Sequence, residues 1–198
     1  MTVFLDTESN GCIPEELCQV AGLFIDKCGN IIGRNSYFRV ERMNEHAYRV
    51  HGLSRAALEK LSGGARFFES AAELYESLGS AGRIVGHNIS SDMRLLNMEF
   101  HRSGLRPLDN ATFCTMRHFD LALGLTGRNG KPKQPSLTEL CRHYFVSDEM
   151  VRHVCDAYFG GCTGQHDARY DCAATYLCVM EAQRRGDVKG VVEIGADI

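Results

Sequence analysis

Five side chains that can do chemistry, four carboxylates and one imidazole, lie in three separate segments of the chain. They are Asp6, Glu8, Asp92, His166 and Asp171. Four carboxylates gathered at one point would repel one another unless divalent cations lay among them. Two such cations, beside a histidine that can accept a proton from water, would be suited to hydrolysing phosphodiester bonds. The residue types therefore predict a metal-dependent hydrolase.

The first two carboxylates lie at the polar end of an apolar segment, residues 2–8, which predicts a buried strand. Side chains two apart on a strand point to the same face, so Asp6 and Glu8 would project together. Asp92 follows a second apolar segment, 83–87, and would fall in the first turn of a helix. A carboxylate there also interacts favourably with the helix dipole, so simple capping is the alternative explanation for Asp92.

His166 precedes Asp171 by five residues, a spacing that would place the two about 140° apart on one helix. We therefore expect the histidine to lie before the final helix, with Asp167 as its N-cap and Asp171 facing inward. A histidine on this glycine-flanked approach would be free to act as a general base. Carboxylate oxygens suit hard cations, so we expect two Mg²⁺ ions, which Mn²⁺ could replace.

Apolar periodicity and turn residues predict an α/β protein in which strands come first and then alternate with helices. Predicted strands cover 2–8, 17–26, 30–40, 83–87 and 111–115, with a hairpin turn at 27–30. Predicted helices begin after Ser54 and continue at 92–102, 116–123, 136–144, 148–158 and 167–185. A further helix would bury one face, formed by Phe68, Ala71, Ala72, Tyr75 and Leu78.

Length and charge limit the class of protein. The 198 residues suffice for one domain, 1–185, followed by a short C-terminal tail, 186–198, that we expect to fray. A formal net charge of −3 argues against a protein that coats nucleic acid nonspecifically.

No apolar segment has the length of a membrane span, and the first residues already predict a core strand. We therefore expect no membrane contact, no signal peptide and a cytoplasmic location.

The chain has nine cysteines, without a C-x-x-C pair. In the absence of a secretory signal, reduced thiols that fill small apolar spaces are the expected explanation. A structural zinc site that uses Cys155, Cys162 and a nearby histidine is the alternative.

Three segments resemble the motifs of a known family. Residues 4–11 read F-L-D-T-E-S-N-G, residues 86–92 read G-H-N-I-S-S-D, and residues 166–171 read H-D-A-R-Y-D. They are similar to the motifs of the DEDDh exonucleases, which include the proofreading subunit of bacterial replicative DNA polymerase and ribonuclease T. Weaker similarities at 51–53, 114–117 and 135–141 extend the resemblance over nearly the whole chain.

This resemblance implies a ribonuclease-H-like fold, with a five-stranded mixed sheet flanked by helices. It implies a 3′–5′ exonuclease that releases 5′-mononucleotides from single-stranded DNA or RNA. It assigns the four acids to two metal ions and His166 to the general base, while Thr7, Ser9 and Asn88 would help to hold the terminal nucleotide. The implied partner is nucleic acid with a free 3′ end. A homodimer and a polymerase or DNA-repair partner are left open.

One position departs from the motifs of this family, and one basic loop could add to the substrate site. Family members usually carry an aromatic residue where Ser91 lies, which leaves a catalytically weak nucleic-acid-binding module as the alternative. Arg128, Lys131 and Lys133 lie in a Gly- and Pro-rich loop, 126–135, and could contact the substrate backbone. An ordinary solvated loop explains those three residues equally well.

Overall fold

The protein forms a five-stranded mixed sheet. The computed structural model describes residues 1–193, with side chains for all of these except 121 and 122. The strands are β1 (Thr2–Ser9), β2 (Leu17–Ile25), β3 (Ile31–Tyr37), β4 (Arg83–Gly86) and β5 (Ala111–Cys114). Their order is β3-β2-β1-β4-β5, in which β3, β2 and β1 are antiparallel neighbours and β1, β4 and β5 are parallel neighbours. The α/β fold with a five-stranded mixed sheet is therefore confirmed.

Helices cover both faces of this sheet. They are α1 (Glu45–His51), α2 (Arg55–Leu61), α3 (Phe67–Gly79), α4 (Ile89–Arg102), α5 (Thr115–His118), α6 (Asp120–Leu123), α7 (Leu137–Tyr144), α8 (Asp148–Phe159) and α9 (Ala168–Arg185). Alternate residues of β1 enter separate cores, because successive side chains on a strand point to opposite faces. Phe4 packs in the core formed with α7, α8 and α9, whereas Val3 and Leu5 pack in the core formed with α3 and α4.

Two helical details differ from the sequence-based expectation. The buried face of α3 includes Phe67, Ala71 and Leu78, whereas Phe68 is 62% exposed. Ala72 is exposed as well, so the predicted face is wrong at Phe68 and Ala72, whereas Ala71 and Leu78 are buried and Tyr75 is partly buried. Helix α1 was not predicted, and the single helix expected at 116–123 is two short helices separated by Phe119.

The segment that follows α9 packs against the domain. Val188, Val191 and Val192 are buried in the same core as α9. The Gln183 side chain donates to the Val192 carbonyl at 3.2 Å and accepts from the Val192 amide at 2.7 Å. The expectation that this tail frays is wrong for 186–193, because its valines bury apolar surface. The rest of the tail, 194–198, lies outside the described residues.

Truncation after Arg185 should therefore destabilise the protein. The loss of three buried valines should lower the free energy of unfolding by about 3–5 kcal/mol, or the melting temperature by on the order of 10 °C. Thermal unfolding followed by circular dichroism measures this change. Truncation after Glu193 is the matched control and should leave the melting temperature nearly unchanged. Equal melting temperatures for the two truncated proteins would contradict the packing of this segment.

Among residues 1–193, no helix combines the length and apolarity needed to traverse a lipid bilayer.

Candidate active site

Three of the predicted carboxylates meet at one point. Asp6 and Glu8 project from β1, and Asp171 projects from the first turn of α9. Each offers a carboxylate oxygen, and these oxygens all lie within 4.8 Å of one another. The two strand residues share a face because they are two positions apart, and α9 packs on β1, where the Cys172 thiol lies 3.2 Å from the Phe4 carbonyl oxygen. The structure thus brings together segments that are far apart in the sequence.

Asp92 lies beside this trio. It is in the first turn of α4 and is only 6% exposed. The Thr7 hydroxyl donates a 2.7 Å hydrogen bond to Asp92 Oδ1. Thr7 points to the opposite face of β1 from Glu8, yet the Asp92 carboxylate that it holds is close enough to Asp6 and Glu8 to repel their charges. The Thr7 side chain therefore orients an acid, a role that the sequence did not reveal.

The carboxylates of this cluster hold protons more tightly than ordinary acids. Burial raises the pKa of Asp6 well above its usual value, and repulsion from Asp92, Asp171 and Glu8 raises it further. Burial and repulsion from Asp171 and Asp92 raise the pKa of Glu8 to about 9. Burial likewise raises the pKa of Asp171 to about 6, although the charge of His166 opposes the rise. A cation at this point would replace those protons and offset the repulsion.

The donor set fits a hard divalent cation. Within residues 1–193, the trio is the only group of three or more acidic, histidine or cysteine residues close enough to hold a metal ion. Its donors are all carboxylate oxygens, which Mg²⁺ and Mn²⁺ prefer. The alternative zinc site at Cys155 and Cys162 has no such third ligand among the described residues. All nine cysteines have free thiols.

His166 lies at the rim of the cluster. It precedes α9, has a positive φ of 64°, and its side chain is 58% exposed. Its Nδ1 atom lies 4.0 Å from Asp171 Oδ2, which is close enough for electrostatic attraction but too long for a hydrogen bond. Asp167 caps α9 by accepting a hydrogen bond from the Arg169 amide, as the sequence predicted. The imidazole can therefore reach both solvent and the carboxylates.

A buried network holds the segment that carries His166. Asp167 is 4% exposed and forms a 2.6 Å ion pair with Arg169. It also accepts hydrogen bonds from the Gln19 side chain at 2.9 Å and the Thr163 amide at 2.9 Å. Burial by itself would raise the pKa of Asp167, but these hydrogen bonds lower it to about 2. Gln19 was missed by sequence reasoning, although a glutamine in a fully buried strand signals a polar partner.

Replacing Asp167 with alanine should lower the free energy of unfolding by about 2–4 kcal/mol, because the buried Arg169 guanidinium would lose its partner. Chemical denaturation measures this change. Glu45→Ala, which breaks an exposed ion pair with Arg49 on α1, is the control and should cost at most about 0.5 kcal/mol. Equal losses for the two variants would show that the network does not stabilise the segment.

A cavity of about 320 Å³ opens beside Glu8 and Asp92. Its other lining residues include Thr7, Ser9, His46, His51 and Ser91. His51 Nδ1 accepts a hydrogen bond from the Leu53 amide, so Nε2 carries the proton and donates to the Ser9 carbonyl at 3.2 Å. Burial lowers the pKa of His51. With Nδ1 as acceptor and Nε2 as donor, this histidine ties α1 to the end of β1.

Most of the chain matches a known family. Residues 3–178 match the family model described as Exonuclease, RNase_T. The chain belongs to this exonuclease family. All five residues singled out for their chemistry lie within the match. No curated protein matches the chain in sequence.

Solved exonuclease structures share the fold at low sequence identity. E. coli Exonuclease I in complex with a dT13 oligonucleotide matches with a TM-score of 0.69 and 18% identity, over 94% of this chain and 42% of that chain. Its zinc-bound complex with single-stranded DNA matches with a TM-score of 0.66 and 19% identity, over 94% of this chain and 41% of that chain. Exonuclease X in complex with 5′-overhanging duplex DNA matches with a TM-score of 0.65 and 17% identity, over 96% and 95% of the two chains.

These likenesses confirm the ribonuclease-H-like fold. The chain spans about two fifths of the length of Exonuclease I, the first of these relatives. It covers nearly all of Exonuclease X.

Two other residues of the expected exonuclease site have local roles. Asn88 is the N-cap of α4, with a positive φ of 70°, and its side chain accepts a 3.3 Å hydrogen bond from Ser90. The Ser9 hydroxyl donates to Glu15 at 2.9 Å. Ser91 lines the 320 Å³ cavity at the position where the family usually has an aromatic ring. The aromatic rings in this lining are instead those of His46 and His51.

The basic loop, 126–135, is only partly available to a ligand. Arg128 and Lys131 are exposed. Lys133 instead forms an ion pair with Glu139, at 2.6 and 2.7 Å from its two carboxylate oxygens. Glu139 also accepts a hydrogen bond from the Ser136 amide at the start of α7. Lys133 therefore supports the N-terminus of that helix, which weakens its expected role in binding a substrate.

Proposed function

We propose that this protein is a 3′–5′ exonuclease that hydrolyses the terminal phosphodiester bond of single-stranded nucleic acid and releases 5′-mononucleotides. One observation carries the proposal. Asp6, Glu8 and Asp171 present oxygens within 4.8 Å of one another, in a chain that belongs to an exonuclease family. An uncompensated group of partly buried acids would be costly to the fold, so its presence favours a role in holding cations.

Asp6, Glu8, Asp92 and Asp171 would hold two divalent cations, which we expect to be Mg²⁺, with Mn²⁺ able to replace it. When bound, such cations lower the pKa of a water molecule and stabilise negative charge on a leaving oxygen. His166 would accept the proton that the attacking water loses, because its imidazole is exposed at the rim of the cluster. The Asp171 carboxylate, 4.0 Å from the ring, would favour the protonated imidazolium that results.

The terminal nucleotide would lie in the 320 Å³ cavity. Its volume is at the lower end of the ~300–1,000 Å³ range of small-molecule sites. Ser9 and the backbone around Thr7 and Glu8 line one side, which supports the assignment of this region to substrate binding. A base that enters a cavity of this kind must be unpaired, so single-stranded 3′ ends are the preferred substrates. A cytoplasmic location remains a prediction from the sequence, and a homodimer and a polymerase or repair partner remain predictions from the resemblance.

The experiment incubates the protein with 5′-labelled single-stranded DNA or RNA, in Mg²⁺, in Mn²⁺ or in excess chelator. We expect stepwise shortening from the 3′ end, release of 5′-mononucleotides and no reaction with chelator. A circular oligonucleotide, which has no 3′ end, is the matched control and should remain intact. Binding of the linear strands without shortening in either metal would favour the alternative, a nucleic-acid-binding module.

Replacing Arg128 and Lys131 together with glutamine should weaken binding of single-stranded DNA. If both contact phosphates, the slope of log affinity against log salt should fall in magnitude by about 1.4, or about 0.7 for each contact. Fluorescence anisotropy at several salt concentrations measures it. The control is the exposed pair Lys27 and Lys60, changed in the same way. An unchanged slope would show that the loop does not contact the substrate.

A further inference from the structure

A second cavity, of about 430 Å³, opens on the other side of the carboxylates. Its lining includes His166 and Asp171 of the acidic site and several residues of α7. The start of α7 is held at the edge of the sheet because His87 Nε2 donates a 3.0 Å hydrogen bond to the Pro135 carbonyl. The polar lining outside the carboxylate cluster comprises Ser136, Thr138, Arg142, Asp148, Gln165 and Tyr170.

The two cavities meet at the acidic cluster. Glu8 lines the first cavity and Asp171 lines the second, and their carboxylate oxygens lie within 4.8 Å of each other. A phosphodiester bond that is hydrolysed between them would have the departing nucleotide on one side and the remaining strand on the other. The first cavity is the smaller of the two and accommodates one nucleotide under the proposed function. The second is therefore available for the remaining strand.

The charges in the second cavity suit a phosphate. Arg142 is exposed, and its side chain forms no ion pair or hydrogen bond within residues 1–193. Arg152 and Arg169, in contrast, are paired with Asp148 and Asp167. Asp148, an acid in the lining, is also engaged by the Tyr170 hydroxyl at 3.0 Å. The guanidinium of Arg142 is therefore the positive group free to bind an anion, and its planar fork matches phosphate oxygens.

Two neutral donors line the same cavity. The side chains of Thr138 and Gln165 form no hydrogen bonds within the described part of the chain. The basic loop with Arg128 and Lys131 leads directly into Ser136, at the start of α7. The cavity lining thus combines neutral donors with the positive charge of Arg142, groups that can bind the phosphates of a strand.

We propose that the second cavity holds the strand that remains after cleavage, with Arg142 bound to a phosphate on the 5′ side of the scissile bond. This proposal rests on the exonuclease function proposed above. Arg142 is a positioning residue, because it would contact the strand away from the reacting atoms. Its contribution should therefore depend on whether the substrate has a nucleotide before the scissile bond.

The experiment compares a substrate that has nucleotides on the 5′ side of the scissile bond with one that has none. Decathymidylate has a strand on the 5′ side, whereas thymidine 5′-(4-nitrophenyl phosphate) has a single nucleoside and a nitrophenyl leaving group. For Arg142→Ala, the ratio of kcat/KM on the oligonucleotide to kcat/KM on the ester should fall about 10- to 100-fold, the range for loss of a hydrogen bond to a charged group. Arg142→Lys should lose less, because it retains the charge.

Arg184→Ala is the matched control, because Arg184 is exposed on α9 and paired with Glu181. It should leave the ratio unchanged. An unchanged ratio for Arg142→Ala, or an equal loss on both substrates, would overturn the proposal. If the wild-type protein hydrolyses neither substrate, the exonuclease function itself fails.

A binding measurement distinguishes failure of the Arg142 proposal from failure of the exonuclease function. Anisotropy of labelled decathymidylate in the Asp6→Asn background measures affinity without turnover. Adding Arg142→Ala should weaken binding about 10- to 100-fold and reduce the salt slope by about 0.7, the value for one phosphate contact on a single strand. A purely structural role would leave the slope unchanged. An unchanged affinity and slope would overturn the assignment of Arg142, whatever the catalytic result.

Discussion

Asp6→Asn should abolish exonuclease activity and, in the same protein, raise the melting temperature of the metal-free form. Asn is nearly isosteric with Asp, so packing is retained while one of the clustered acids is removed. Loss of a metal ligand should reduce kcat/KM by roughly 10³- to 10⁵-fold, since cation stabilisation of the transition state is worth several kcal/mol. A gel assay with labelled single strands measures the loss.

The gain in stability should depend on pH. Burial and mutual repulsion raise the pKa values of these carboxyls in the folded protein, to about 6 for Asp171, about 7 for Asp92 and about 9 for Glu8. The folded state therefore binds protons more tightly than the unfolded chain. The contribution of these clustered acids to metal-free stability is then greatest below the ordinary carboxyl pKa and falls as pH rises through these values. The Asp6→Asn substitution should raise the melting temperature little at low pH and most above neutrality.

With divalent metal bound, the wild-type protein should have a higher melting temperature than Asp6→Asn. Mg²⁺ should stabilise the wild-type protein, and more strongly at higher pH, because protons no longer compete for the carboxylates. Asp6→Asn should show a much smaller response. Asp109→Asn, at an exposed position in the segment before β5, is the matched control and should behave as the wild type does. Retained activity, or a lower melting temperature of metal-free Asp6→Asn at every pH, would contradict the role of the cluster.

His166→Asn should lower kcat by about 10²- to 10⁴-fold, the usual contribution of a general base, with a smaller effect on KM. Asn tolerates the positive φ of 64° at this position, so the backbone need not change. Single-turnover kinetics separate the chemical step from product release. His153→Asn, an exposed histidine on α8, should have nearly wild-type kinetics.

Chemical rescue tests the same assignment independently. The His166 side chain is 58% exposed, so a small base from solvent can reach the position of its ring. Added imidazole should therefore restore part of the turnover of His166→Gly, in which glycine accepts the positive φ without strain. It should not restore Asp6→Asn, which lacks a metal ligand. Unimpaired turnover by both His166 variants would exclude this histidine as the base.

Much of the secondary structure could be predicted because its signals lie within a few residues. β1 alternates between two cores, and a turn at 27–30 joins β2 and β3. Asp167 caps α9 where the sequence places it. Such patterns depend on strand periodicity, turn residues and capping, all of which act locally.

The errors lie where distant packing decides the outcome. Phe67 and Phe68 are both apolar, and the docking of α3 on the sheet decides which of them is buried. The valines of 186–193 have no strong local pattern, yet they complete the core beside α9. Arg142 also had no sequence signal, because its significance depends on the cavity between α7 and α9.

The sequence alone determined which residues could do the chemistry: the acids, the histidine and the motifs that contain them. It also determined that Asp6 and Glu8 share a face, because they are two positions apart on a strand. Only the tertiary structure decided that Asp171 joins them within 4.8 Å, that Thr7 holds Asp92 beside them, and that cavities open on both sides. The physical reason is that distances between remote segments are set by sheet register and by the packing of helices on the sheet, which no short stretch of sequence encodes.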